Sequence, residues 1–203
     1  MPQNVIPFEI IAAPFTVYKA PVGEPFPVID AAPAGNWVKL GASGDRNLTE
    51  EGVTVGHTQA FNLARPAGAT GPVKAVRTEE DLVIRLTLWD LRLEMYSYAL
   101  NDNAVATTAA GSGTAGFKQI AIHRGVQVAT FALLIRGDIS PYGADWKSQY
   151  QVPYAYAGGN PEPVYAKNFT GLAFEFMALE DPNAATEADR FGHLIQQHQT
   201  ALP

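Results

Sequence analysis

Leu82, Ile84, Leu86 and Leu88 recur at every second position. This alternation restricts the fold more than any other feature, because side chains two apart share one face of a strand. A strand with one apolar face needs a second layer to cover it. Leu172, Phe174, Phe176 and Ala178 repeat the pattern late in the chain. Weaker strand signals lie at residues 37–40, 53–65, 73–77, 117–123, 126–136, 150–156 and 164–167. Turn residues separate them: Gly44-Asp45-Arg46-Asn47, the Gly- and Pro-rich run 66–72, residues 137–143, and Gly158-Gly159-Asn160-Pro161. Residues 53–77 thus read as a long hairpin arm, and 117–136 as a hairpin turning at Arg124-Gly125. The acidic run Glu79-Glu80-Asp81 reads as a solvated turn or edge protection ahead of the next strand.

Only two segments carry helical spacing. Asp90 can cap a helix whose apolar face is Leu93, Tyr96 and Leu100, ending at Asn101-Asp102-Asn103. The small residues of 104–116 then read as a flexible loop. Residues 183–199 place Phe191, Leu194, Ile195 and His198 on one face of a second, C-terminal helix. Seven prolines in residues 1–36 forbid helix there and confine strands to edges. The apolar residues between them suit either an extended arm packed on a neighbouring subunit or an edge strand and loop within one molecule. The expected architecture is mainly β: a sandwich or barrel over residues 37–180 flanked by one α-helix near 90–101. An extended N-terminal arm (1–36) and a helical C-terminal extension (181–203) complete it.

A chain of 203 residues buries roughly 70% of its unfolded surface and can build its own core. Its net charge of −6 disfavours a nucleic-acid reader that works by neutralising phosphates. It does not argue against a wall past which nucleic acid slides, because an acidic wall repels phosphates. Charged residues make up only 17%, which fits a surface hidden against partners. No cysteine is present, so disulfides, thiolate zinc sites and cysteine nucleophiles are excluded. No apolar run is long enough for a membrane-spanning helix, and the N-terminus lacks the pattern of a secretory signal. The chain is expected to be soluble and cytoplasmic at synthesis.

Signals for chemistry are weak. Gly111-Ser112-Gly113-Thr114-Ala115-Gly116 fits a dinucleotide fingerprint literally, but lies between a helix and a strand and not between a strand and a helix. His193 and His198 are five apart, off the spacing of a helical metal pair, and His57 alternates with valines. Neither carboxylate cluster, Glu50-Glu51 or Glu79-Glu80-Asp81, adjoins a nucleophile elbow. No catalytic, cofactor or metal residue is assigned. Trp89, Tyr142, Trp146, Tyr150, Tyr154 and Tyr156 can serve either as a sugar-stacking platform or as core and interface residues.

One pattern of motifs points further. Trp37-Val38-Lys39-Leu40-Gly41, then Asp45, then residues 48–55 (Leu-Thr-Glu-Glu-Gly-Val-Thr-Val), resembles the opening of major tail tube proteins of long-tailed bacteriophages. Residues 73–84 are similar to the approach to the next strand in that family. Leu88-Trp89-Asp90-Leu91 with Glu94, Tyr96 and Ala99-Leu100-Asn101 resembles its single helix, and residues 140–153 its late strands.

The resemblance implies a virion protein of the phage tail. Six copies join their inner sheets into a ring, rings stack into a tube, and DNA passes through without specific binding. It implies further partners: a tape measure protein inside the growing tube, and terminator or baseplate proteins at its ends. The long hairpin is expected to touch the adjacent ring, and strand carboxylates such as Glu175 are candidates for an acidic lumen. Contacts between subunits are expected at Phe8, Ile10, Phe15, Asp45, Arg46, Arg65, Lys74, Arg77, Tyr142 and Trp146. The alternatives are a related ring protein (a tail terminator or a secretion-system tube) and a monomeric carbohydrate-binding β-sandwich.

Overall fold

A computed structural model describes residues 9–41, 48–200 and 202. It is mainly β with one short helix. In chain order the elements are β1 (Thr16–Pro21), β2 (Val38–Lys39), β3 (Leu48–Ala64), β4 (Lys74–Leu88), α1 (Leu93–Ala99), β5 (Val105–Thr108), β6 (Phe117–Ile120), β7 (Thr130–Gly137), β8 (Ser148–Ala157), β9 (Leu172–Ala178) and β10 (His193–Gln196). One antiparallel sheet runs β2-β1-β7-β8-β9-β4-β3, with β10 on β8, and β5-β6 form a separate hairpin. β8 divides its second edge: residues 148–151 pair with β10 and 155–157 with β9. The sheet curls. Val53 and Val55 of β3 line the same groove as Phe15 and Ile135, although β8, β9 and β4 separate β3 from β7 in the sheet.

The period-two residues form the core. Leu82, Ile84, Leu86 and Leu88 of β4 pack with Leu172, Phe174 and Phe176 of β9 and with Phe131, Leu133 and Ile135 of β7. β7 is buried from Phe131 to Gly137, so its other face needs cover as well. That second cluster is Ala132 and Leu134 with Ala20 and Trp37, flanked by Tyr18 and Phe26.

The proline-rich segment supplies this cover. It enters as β1, paired with β7 over the full length of Thr16–Pro21. It then crosses the second face as a loop over residues 22–36. Two buried polar side chains hold the loop. Arg136 and Gln149 face each other across the β7–β8 ladder, and Arg136 Nε donates to Gln149 Oε1 at 2.9 Å. Arg136 also donates to the carbonyls of Ala31 and Val28, and Gln149 Nε2 to that of Pro27 at 3.2 Å. Trp37 Nε1 closes the loop onto Pro25 O at 3.0 Å. The loop belongs to no ladder, and these side chains supply donors to its carbonyls. For residues 16–36 the packing is therefore within one molecule, and β1 is an inner strand, not an edge.

Helix α1 turns inward a face shifted from the one its spacing predicts: Tyr96 packs on the core and Leu100 is buried as expected, but Met95 and Ala99 take the place of Leu93. Met95 and Ala99, four apart, enter the core, with Leu100 buried beyond them, whereas Leu93 is half-buried. Asp90 is not the N-cap: Arg92 is, and Asp90 Oδ1 accepts from Arg92 N at 3.1 Å. The helix stops at Asn101 and Asp102, both at positive φ (63° and 59°), where Asn and Asp are tolerated best. Their side chains tie the stop down. Asn101 bonds Arg124 O, Gln127 O and Ala129 N, and Asp102 holds Lys19 Nζ of β1 at 2.6 Å over the rings of Tyr98 and Phe131.

Several expectations are corrected. The C-terminal helix over 183–199 does not form. Residues Glu187–Asp189 make one 3₁₀ turn and His193–Gln196 is strand β10. Gly192 sits at φ 97° against β8, where an added Cβ would lie 1.8 Å from Gln151 O. That geometry stops a helix, and the uncovered edge of β8 offers ladder bonds instead. Gln197 fixes the end of β10: its Oε1 accepts from Lys147 N and its backbone O from Ser140 Oγ. The 117–136 hairpin is also wrong. β6 pairs with β5, inside the supposed 104–116 loop, while β7 pairs with β1 and β8. Residues 164–167 form no strand, and the acidic run 79–81 lies inside β4.

Two outcomes test this arrangement. Arg136→Met releases the loop carbonyls of Val28 and Ala31 and leaves the buried Gln149 Oε1 without its donor, and should cost about 1–3 kcal/mol. It should also red-shift tryptophan emission, because Trp37 is buried whereas Trp89 and Trp146 are partly exposed. Unchanged emission and unfolding midpoint would show that the loop is held without Arg136. Gly192→Ala separates strand from helix by sign: a helical Gly192 would gain about 1 kcal/mol from alanine, whereas the observed backbone predicts a loss of more than about 1 kcal/mol in urea unfolding.

Candidate assembly surface

β3 and β4 continue together well past the core. Their ladder runs from Val53↔Leu86 to Ala64↔Lys74, but β9 covers β4 only along Val83–Leu88. Apart from half-buried Ala60, every residue from 57 to 81 is exposed. The outer eight or so residues of each strand therefore form a two-stranded ribbon reaching about 25 Å from the body. β3 ends the sheet order, so its outer edge is open among the described residues. The β4 edge is open as well, from Lys74 to Leu82.

The ribbon's side chains are not those of a solvated loop. A bulge between Ala60 and Phe61 shifts the register, so Phe61 pairs with Arg77 and Leu63 with Ala75. Phe61, Leu63, Val73 and Val76 stand 46–68% exposed. Arg77 lies over the Phe61 ring at 5.9 Å and donates to Glu80 at 2.9 Å. Arg65 reaches the carbonyl of Thr70 at 3.4 Å across the tip, and Lys74 closes the strand opposite Ala64. The cations Arg65, Lys74 and Arg77 lie in the outer part of the ribbon, and the carboxylates Glu79, Glu80 and Asp81 lie at its base.

The other expected contact residues are dispersed. Phe8, Asp45 and Arg46 lie outside the described residues. Ile10 is exposed at the first described segment, next to the groove that Ile11 and Phe15 line. Phe15 packs inward on Gly137, where any Cβ would strike its ring, and toward Tyr150 at 6.5 Å. Tyr142 stacks on His198 at 5.1 Å, and Trp146 lies on Gly143; both are partly exposed. Glu175 is not a free carboxylate: Arg85 holds it at 2.6 Å. Arg65, Lys74 and Arg77 are thus brought together on one structure, and Tyr142 and Trp146 on another.

The chemical motifs find structural places. Gly111 and Thr114 bond each other's backbones as the turn between β5 and β6, and Gly116 passes within 2.9 Å (Cβ position) of Thr108 O. His193 pairs with Asp189 at 3.0 Å on the 3₁₀ turn. Among the described residues no cluster of metal-binding side chains occurs. Trp89 meets Phe169, Tyr150 meets Phe15, and Tyr156 donates to the Met177 sulfur, so these rings have separate partners. Compared with known proteins, the sequence matches no family model and no curated relative.

Proposed function

We propose that this protein is a structural subunit that assembles with copies of itself into stacked rings. The assembly is a tube of the phage-tail type, hexameric in each ring, through which DNA passes into the host. The observation that carries this reading is the β3–β4 arm. An isolated two-stranded ribbon is marginal in water, and a long edge strand with apolar side chains invites pairing. Such an edge is tolerable where another copy covers it, and a closed ring removes free edges altogether. The body provides what the arm lacks: a core sealed on both faces of β7 and no need of the arm for its own packing.

Transport of DNA needs a wall without grip. Each cation paired with a phosphate adds affinity through counterion release, and stacked rings would multiply it. The net charge of −6 supports a wall that repels, with screening limiting its reach to about 8–10 Å. In this reading a tape measure protein fills the tube during assembly, and terminator and baseplate proteins close its ends. The separate partners of Trp89, Tyr150 and Tyr156 leave less support for a carbohydrate platform.

Deleting residues 67–71 from the arm tip tests the proposal. The variant should keep the parent's circular dichroism and unfolding midpoint but fail to form tubes by negative-stain microscopy. An unfolded variant, or tubes of normal appearance, would overturn the arm's role.

A further inference from the structure

We infer that the arm of one copy docks in an acidic groove on the next, so that the contact between stacked copies is head-to-tail and charge-selected. This rests on the assembly reading above and names the surface that receives the arm.

The groove lies between the proline-rich loop and the C-terminal segment. Two adjoining hollows, of about 230 and 320 Å³, share Phe26, Pro153, Asp181 and Asn183. The floor is apolar, from Phe26, Pro153 and Tyr154, and the carboxylates are Glu24, Asp181 and Asp189. No Lys or Arg lines either hollow; His193 lines one of them and holds Asp189 at 3.0 Å. Beyond the hollows the neighbouring chain adds Glu187, whereas Glu175 and Glu180 of the same stretch are held by Arg85 and Arg190.

The outer part of the arm has the complementary make-up: apolar Phe61 and Leu63 beside Arg65, Lys74 and Arg77, while Glu79, Glu80 and Asp81 sit at its base and Glu80 already holds Arg77. Among the described residues, neither Arg65 nor Lys74 has a carboxylate partner. The exposure of residues 57–81 shows that the arm does not fold back onto its own groove. The remaining occupant that matches both the apolar floor and the charge is the arm of another copy. Two different surfaces meeting in this way make a heterologous contact, which propagates instead of closing as a dimer. Opposite potentials also fix the partner and orientation, since like-charged juxtapositions are penalised.

The test is a charge swap read by sedimentation and microscopy. Arg65→Glu, Lys74→Glu and Arg77→Glu together should give a folded subunit that forms no stacks. Adding Glu24→Lys and Asp181→Lys to that variant should restore them. Normal stacking of the reversed arm, or failure of the groove reversal to restore it, would overturn the inference while leaving self-assembly standing. If the unaltered protein forms no assemblies at all, the assembly reading falls first and this one with it.

Discussion

The structure depends on covering both faces of β7. A strand buried from Phe131 to Gly137 places one apolar row against β4 and β9 and the other against whatever lies behind. In this chain the cover behind is a proline-rich loop, which has few ladder bonds of its own. Arg136 and Gln149 solve the problem by reaching out of the sheet to the loop's carbonyls. A buried guanidinium is costly without partners. Here its donors are met by one amide oxygen and two backbone carbonyls. Loop and cation satisfy each other's hydrogen bonds.

With the core closed this way, the body is self-sufficient and the arm is surplus to it. This division assigns the two halves of one hairpin to different tasks. Inner β4 is buried at Leu82, Val83, Ile84, Leu86 and Leu88, and is paired on both sides from Val83 on. Outer β4 and β3 lose that cover but keep apolar side chains, with cations towards the tip and the carboxylates Glu79, Glu80 and Asp81 at the base. The same strands thus hold the fold together at one end and present a bare edge at the other.

The inner strands were legible because burial on one face leaves a period of two. β4 and β9 follow directly from Leu82–Leu88 and Leu172–Phe176. The arm was legible too, from its length and its Gly- and Pro-rich tip, although the run 79–81 reads as a turn only until the ladder on β3 is known. The failures have physical causes. Phe191, Leu194 and Ile195 suit a helix by spacing, but the free edge of β8 and the backbone at Gly192 decide for a strand, and both are tertiary facts. Residues 104–116 look featureless because β5 and β6 are exposed and carry no alternation. Arg136, Gln149 and the Lys19–Asp102 pair give no local signal at all, since their partners are 83 or more residues away in three of the contacts that matter. The contact residues named from sequence coincide with the structure's exposed arm only at Arg65, Lys74 and Arg77.

The central claim is that this chain exists to assemble with itself. The most direct measurement is sedimentation velocity of the purified, unaltered protein across a wide concentration range, with electron microscopy of the same samples. The account predicts species far heavier than the 21.8 kDa chain, growing with concentration, and images of rings or tubes. A single 21.8 kDa species at every concentration, with no rings or tubes in the images, would contradict it.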